Sequence, residues 1–456
     1  MAVLLFFCWP LLIIWWVLRR PGMASLTALA TLLALGLSAA WIGFHNVLAL
    51  VQWAIIAVAL GLGGWWLLRR EHFNEVARWR LAGLWRKHSL YRRKWTNVVR
   101  THYLHVDVPK RPDRLPKLVK FRATPWADHL LVKPAKGSIA EWRTAAPALA
   151  TAFNAPKCRV RQDFTRHDRF WLSFPVGPDR LAQSLPPPPI NEDVDLERIP
   201  VGMTEDGEPW LLRILGRHLL IAGQIGSGKS ILVWCILWAL GPLIRDGLVE
   251  VHAIDPKGGM ELGPGRKLFK AYAQSNIEDM LGVIENVVTR LNRRMAFCEE
   301  HDIREHTPTR AEPFILLLID EGAVVDLLTE SGEQAKKLER WQKLILTQGR
   351  APGVGLISCY QEPLKETAKT RGLYPQRVQH RSLESTHANM TLGPGAREHG
   401  AETETLELPG MAFFVIDGET ELQRGRSFHI EDHHIQTLVS RYAPAPSPGE
   451  RLKRVL

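Results

Sequence analysis

The stretch of sequence that decides the fold is residues 218–230, which read HLLIAGQIGSGKS. Its first five residues, HLLIA, have the apolar character of a strand and run directly into the loop GQIGSGKS. That loop matches the pattern G-x-x-x-x-G-K-[ST] at every fixed position. The next ten residues, ILVWCILWAL, predict an apolar helix, so the order strand, loop, helix indicates a phosphate-binding loop.

This loop predicts a site for ATP and Mg²⁺. Its glycines allow backbone N–H groups to curl around phosphate oxygens. Lys229 is expected to reach the β- and γ-phosphates and to take part in catalysis, and Ser230 to place its hydroxyl on Mg²⁺. The residues predicted to bind the nucleotide are Gly223, Gln224, Ile225, Gly226, Ser227, Gly228, Lys229 and Ser230.

A second motif lies at residues 314–321, FILLLIDE, where six apolar residues end in two acids. The pattern predicts a buried parallel strand whose tip delivers carboxylates beside the phosphate loop. Asp320 is expected to bind both nucleotide and Mg²⁺, and Glu321 to orient and polarise the attacking water. An exposed acidic turn is the alternative. The water-activating role favours hydrolysis over nucleotide binding alone.

A third strand, residues 354–360, ends at Gln361, and a polar residue at a strand tip can sense the γ-phosphate. Arg350 and Arg377 are candidates to act on the nucleotide of a neighbouring subunit, because a guanidinium stabilises charge that develops on phosphate. A surface position is the alternative for either arginine.

The rest of the soluble sequence predicts an α/β fold with a small preceding domain. Apolar strands alternate with amphipathic helices over residues 201–435, which predicts a mainly parallel sheet covered by helices, of the RecA-like P-loop motor type. Residues 123–185 predict a smaller α/β domain. Residues 186–200 contain four consecutive prolines and predict a stiff linker, with a polyproline II ligand as the alternative. Residues 436–456 form a tail.

Charge and apolarity are distributed unevenly along the 456 residues, although the net charge of +11 and mean hydropathy of −0.09 suggest an ordinary soluble chain. These averages exclude a disordered, collagen-like or disulfide-rich protein. Residues 69–122 carry 16 Lys or Arg and four acidic residues, a net +12. We expect this band to lie on anionic lipid, with a nucleic-acid contact as the alternative.

The band follows an apolar end, residues 1–68, that holds only two charged side chains. This end predicts an all-α anchor of two or three transmembrane helices in the cell membrane. The positive-inside rule places the motor in the cytoplasm, and a cleaved signal peptide is the alternative for the first apolar run. Five scattered cysteines without a C-x-x-C pair agree with a reduced compartment. The predicted spans are residues 2–18, 24–43 and 47–68.

Histidine and acidic residues in the segment 429–434 (HIEDHH) suggest a metal-binding site as one hypothesis. Glu431 and Asp432 stand, however, where a last helix would begin, and acidic residues are favoured at helix N-termini. We therefore assign this segment to the start of a helix.

These motifs resemble the FtsK/SpoIIIE family of DNA translocases over about residues 125–437. Besides the phosphate loop, the resemblance is carried by IDPK at 254–257, LLLIDEGAVVDLL at 316–328 and GRAPGVGLISCYQEP at 349–363. The family forms hexameric rings with double-stranded DNA in the central channel. The resemblance implies that Arg350 is the arginine finger and Gln361 the sensor, with Arg377 as the other candidate finger.

The chain departs from the family pattern in ways that narrow the expected role. Position 362 is Glu where the family has Arg, and about twenty residues follow 437, so we expect no C-terminal winged helix. The layout is similar to short, membrane-anchored transfer (Tra) proteins of actinobacterial conjugative plasmids. It implies a membrane-anchored, ATP-driven double-stranded DNA translocase that forms a homo-hexamer and relies on a separate DNA-recognition partner. The alternative is an ATPase of a protein secretion system, of the type IV coupling or type VII kind.

Overall fold

The computed structural model describes residues 47–445 apart from a few short internal segments, and it divides into two compact units. The first unit contains the described residues up to Lys136 together with Thr151–Asn154, and the second contains the remainder. The predicted spans 2–18 and 24–43 lie outside the described residues. The internal segments left out are residues 109–110, 164–165, 167, 178, 275, 329–331, 364–367 and 417–421.

Helices dominate the first unit. Two π-helical turns, Asn74–Arg78 and Lys87–Arg92, interrupt them, and a two-stranded antiparallel hairpin follows. Among the residues described, no helix is both long enough and apolar enough to cross a membrane. The elements are α1 (Val47–Leu68), α2 (Arg70–Phe73), α3 (Trp79–Arg86), α4 (Arg93–Thr101), β1 (Lys117–Ala123) and β2 (Ala127–Lys133).

The basic band of the sequence is folded rather than fully exposed. Arg86 forms a two-pronged ion pair with the buried carboxylate of Asp128, with nitrogen–oxygen distances of 2.5 and 2.9 Å. The hydroxyl of Tyr91 donates to the same carboxylate at 3.1 Å, and the ring of Tyr91 packs against Phe153. Buried charges are stable only when they are paired and hydrogen-bonded. Part of the band's charge is therefore used to hold the hairpin.

The second unit is built on a ten-stranded sheet, which confirms the expected α/β fold with a mostly parallel sheet. Strand order is β6-β5-β14-β13-β12-β7-β11-β10-β8-β9, parallel from β12 to β9 and antiparallel from β12 to β6. The sheet strands are β5 (Ile199–Thr204), β6 (Pro209–Leu212), β7 (Leu219–Ala222), β8 (Val249–Asp255), β9 (Phe269–Gln274), β10 (Phe314–Ile319), β11 (Val354–Tyr360), β12 (Gln376–His380), β13 (Met411–Val415) and β14 (Gln423–Ser427).

Helices cover both faces of this sheet, because its central strands carry apolar side chains on both faces. In β10 every residue is buried; Leu316 and Leu318 pack with one helix layer, whereas Ile315 and Leu317 pack with the other. An antiparallel pair, β3 (Arg159–Gln162) and β4 (Phe170–Pro175), precedes the ten-stranded sheet. The helices are α5 (Ile139–Ala152), α6 (Lys229–Arg245), α7 (Ile277–Glu300), α8 (Gly322–Leu328), α9 (Gly332–Gln348), α10 (Thr386–Leu392) and α11 (Asp432–Tyr442).

The four prolines and the residues just after them contact the helices of this unit. The indole N–H of Trp238 in α6 donates to the carbonyl of Pro188 at 2.9 Å. The Tyr442 hydroxyl donates to Glu192 at 2.9 Å, and Arg245 pairs with Glu192 at 3.0 Å. These bonds attach the start of the predicted linker to α6 and α11.

The last helix begins where the sequence predicts. Glu431 is the N-cap residue of α11 and forms a capping box with His434, whose Nδ1 accepts the backbone N–H of Glu431 at 3.1 Å. Such reciprocal bonds satisfy donors that a helix start otherwise leaves unpaired. Glu431 and His434 thus have a structural role at the start of this helix.

Two buried histidines predict that acid destabilises the second unit. His218, before β7, accepts the N–H of Leu356 at 3.1 Å, and burial lowers its pKa to about 4; burial likewise lowers that of His380 to about 3. Because the unfolded chain binds protons near pH 6.5 and the folded chain does not, the free energy of unfolding should fall as pH drops from about 6.5 towards 4.

We expect the urea midpoint to fall between pH 7 and pH 5, and to fall less in His218→Gln, which can still accept a hydrogen bond but does not titrate. The exposed His301→Gln serves as the matched control. An acid response in His218→Gln as large as that of the unaltered chain would contradict this assignment.

Candidate active site

The phosphate loop connects β7 to α6 through glycines in left-handed conformations. Gly226 has φ of 70° and Gly228 has φ of 101°, a region that side chains disfavour. A Cβ on Gly228 would also collide with the backbone nitrogen of Gly410. That nitrogen donates to the carbonyl of Ser227 at 2.9 Å, so the loop is tied to the chain just before β13.

The loop residues fit a phosphate group. The Lys229 ammonium is buried and donates to the carbonyls of Gly223 at 2.6 Å and Gln224 at 3.2 Å, and its burial lowers its pKa. The Ser227 hydroxyl is buried without a hydrogen-bond partner among the described residues. An anion with several acceptor oxygens matches these donors and the open backbone of the loop. Ser230 lies in the first turn of α6.

Carboxylates gather at the same edge of the sheet, because β8 and β10 are parallel and end at the same level. Asp320 follows β10, and its N–H donates to the carbonyl of Ile254 at 3.0 Å. Burial raises its pKa to about 7, and the charges of Asp255 and Glu261 add to the rise. A divalent cation would relieve this repulsion, so the acidic residues present fit Mg²⁺.

Glu321 lies beside Asp320 and is almost fully enclosed, with 2% of its side chain exposed. Its Oε2 accepts a bond from the Lys257 ammonium at 3.1 Å, and its Oε1 accepts the backbone N–H of Gln361 at 3.2 Å. The structure therefore brings Glu321 and Gln361 together at the phosphate-loop edge, as the sequence predicts. The contact uses the backbone of Gln361 and not its amide.

Arg350 lies at the opposite edge of the sheet. It precedes β11, whose far end carries Gln361, and the seven residues of the strand span about 23 Å. Arg350 is exposed and therefore does not reach the phosphate loop of its own chain. Arg377, within β12, is half-buried, and its Nε donates to the carbonyl of Tyr374 at 2.7 Å. Its pKa is lowered by burial.

Two residues of the site were not predicted from the sequence. In the sequence, Lys257 stands out only as part of the IDPK strand end. A basic residue that follows a parallel strand next to β10 is nevertheless a signal that could have identified it. Arg381 follows β12; its carbonyl accepts the N–H of Gln224 at 2.9 Å, and its guanidinium faces the side-chain amide of Gln224. Arg381 thus forms one wall of the phosphate loop in the same chain.

The left-handed glycine at the start of α6 should be intolerant of a side chain. Gly228→Ala introduces both a disfavoured φ and a collision with Gly410, so we expect a loss of about 1–3 kcal/mol in unfolding free energy and a large loss of nucleotide affinity.

The matched control is Gly282→Ala, inside α7, where a Cβ meets nothing within 4 Å. Ala is the better helix former there, so this variant should be neutral or slightly more stable. Urea unfolding and titration with a fluorescent ATP analogue measure both effects. Equal behaviour of the two variants would show that the loop does not need its glycine.

The chain is similar to several known proteins. Residues 183–347 match the model of the FtsK/SpoIIIE family. The DNA translocase FtsK of Staphylococcus epidermidis is 24% identical over 270 residues, which cover 53% of this chain and 32% of that protein. Protein Tra of Streptomyces lividans is 27% identical over 232 residues, 46% of this chain and 35% of that protein. The chain thus spans about a third of the length of these curated relatives.

One solved structure shares the fold over most of its length. The pCW3 conjugation coupling protein TcpA, in its monomer form with ATPγS, superposes with a TM-score of 0.51 at 19% identity. The superposition covers 76% of this chain and 98% of that one. Residues 183–347 therefore match an FtsK/SpoIIIE family domain, and this match indicates an ATPase.

Proposed function

We propose that this chain is a membrane-anchored translocase that uses ATP hydrolysis to move double-stranded DNA, and that it serves conjugative plasmid transfer. The observation that carries the proposal is the meeting of the phosphate loop, Asp320 and Glu321 at one sheet edge within an FtsK/SpoIIIE domain. The relative named DNA translocase FtsK supports DNA as the cargo.

The residues divide the chemistry of hydrolysis among them. Backbone N–H groups of the loop and the Lys229 ammonium bind the phosphates and orient the γ-phosphate. Ser230 and Asp320 would hold Mg²⁺, which neutralises charge on the β- and γ-phosphate oxygens. Glu321 accepts a hydrogen bond from the attacking water and aligns it with the γ-phosphorus. Gln361 stands at the tip of β11, where loss of the γ-phosphate would be sensed.

The place of Arg350 supports the proposal of a ring of identical subunits. An exposed guanidinium at the edge opposite the phosphate loop is out of reach of its own nucleotide but is available to a neighbour. In this proposal Arg350 stabilises the charge that develops on the γ-phosphate in the next subunit. A homo-hexamer provides such a neighbour at every site and a central channel for the duplex.

The membrane part of the proposal rests on the sequence. Residues 21–68 contain no Asp, Glu, Lys or Arg, enough for two spans, and the basic band follows at once. We propose that the anchor holds the motor at the cytoplasmic face of the cell membrane. Arginines of the band that are not used within the first unit would contact anionic lipid. A separate protein would supply recognition of a particular DNA sequence.

Variants of the phosphate loop and of Glu321 should distinguish nucleotide binding from ATP hydrolysis. We expect Lys229→Ala to lose ATP turnover and plasmid transfer while its membrane insertion is unchanged. Glu321→Gln keeps the size of the side chain but cannot accept the water's proton, so it should bind ATP normally and hydrolyse it about 100-fold more slowly. Normal transfer by the Lys229→Ala variant would contradict the motor role.

Duplex DNA should stimulate the ATPase, and longer duplexes should stimulate it more, because a translocating ring spends more cycles before it runs off an end. The measurement is steady-state ATP hydrolysis by the purified chain with short and long duplexes, with Lys229→Ala as the blank. A rate that ignores DNA but rises with a secreted protein would instead support the alternative, an ATPase of a protein secretion system.

A further inference from the structure

The candidate base Glu321 is not free to act in this structure. Each of its carboxylate oxygens already accepts a hydrogen bond, one from Lys257 and one from the backbone of Gln361. With 2% of the side chain exposed, little surface remains at which a water molecule could approach. The Gln361 bond comes from the end of a central strand and is fixed, whereas the Lys257 bond comes from a flexible side chain.

The position of Lys257 is set by the loop that carries it. Asp255, fully buried at the end of β8, accepts the N–H of Lys257 at 3.3 Å and those of Glu261 and Leu262 at 3.2 and 2.9 Å. One carboxylate thus closes the loop at residues 256–262. The backbone of Lys257 is held in place, and its four-carbon side chain remains the moving part.

The loop faces solvent on its outer side. The Lys257 side chain is 31% exposed, although its ammonium is bonded to a buried carboxylate. Three residues later, Met260 is 80% exposed, after Gly258 and Gly259 with φ of 75° and 80°. A ligand that approaches this surface can therefore reach Lys257 without entering the nucleotide site. Because ammonium groups bind phosphate strongly, a phosphate-rich ligand can compete with Glu321 for it.

We propose that Lys257 is a positioning residue that latches Glu321 in the resting state, and that a polyanion releases the latch by drawing the ammonium away from Oε2. The identity of the polyanion, duplex DNA, rests on the proposed function. Glu321 directly follows Asp320, so the released oxygen stays at the sheet edge that carries the phosphate loop. ATP hydrolysis is thereby coupled to the presence of the cargo.

The test compares steady-state ATP hydrolysis with and without duplex DNA in full-length variants. Lys257→Met keeps the length of the side chain but cannot pair with Glu321, so its duplex-free kcat should rise about tenfold with little change in KM, and duplex should add little more. Lys257→Arg keeps the charge and should resemble the unaltered chain. The matched control is the exposed Lys267→Met, which should behave normally.

A Lys257→Met duplex-free kcat at or below that of the unaltered chain would overturn the latch. Lys257→Gln donates a hydrogen bond without a charge, so its duplex-free kcat should be intermediate. This variant tests the latch if Lys257→Met does not fold. A Lys257→Gln rate no higher than that of the unaltered chain would again overturn the latch. If duplex fails to stimulate the unaltered chain while Lys257→Met is still activated, the latch holds and DNA as the cargo is refuted.

Discussion

The site depends on the parallel pairing of β10 between β8 and β11. Ile319, the last residue of β10, is level with Ile254 on one side and with Ser358 on the other. Asp320 therefore emerges next to Asp255, and Glu321 next to Gln361. A slip of one residue in either pairing would exchange the two faces of β10, so each apolar side chain would meet the wrong helix layer and both carboxylates would leave these partners. The core that stabilises the sheet thus also fixes the alignment of the carboxylates.

The same burial gives the site its electrostatic character. A strand that is apolar on both faces ends in a poorly hydrated region, and carboxylates placed there lose the solvation that normally keeps them ionised. Asp320 responds with a raised pKa, whereas Glu321 is paired with Lys257. Burial therefore affects the two neighbouring acids differently. Asp320 is suited to bind a metal cation, whereas Glu321 is held by an ammonium group.

The sequence predicts the parts of the site that are local in the chain. The phosphate loop is one continuous motif, and Asp320 and Glu321 directly follow their apolar strand, so pattern and spacing suffice. Lys257 and Arg381 were missed because they reach the site only through strand order. Arg381 follows β12, which pairs with β7 after more than 150 intervening residues, and no short pattern marks that pairing. The antiparallel extension of the sheet was missed for the same reason.

The strand geometry also constrains how a complete active site can form. Arg350 and Gln361 stand at opposite ends of β11, a strand buried along its whole length between β7 and β10. No movement of a side chain spans that length, and shortening the strand would break both of its pairings. If an arginine finger is needed for hydrolysis, Arg350 can supply it only to another copy of the chain. Assembly would then complete the set of catalytic residues with an arginine from a neighbouring subunit, while Lys257 controls Glu321 within the same chain. Hydrolysis would therefore need both a neighbouring subunit and a cargo.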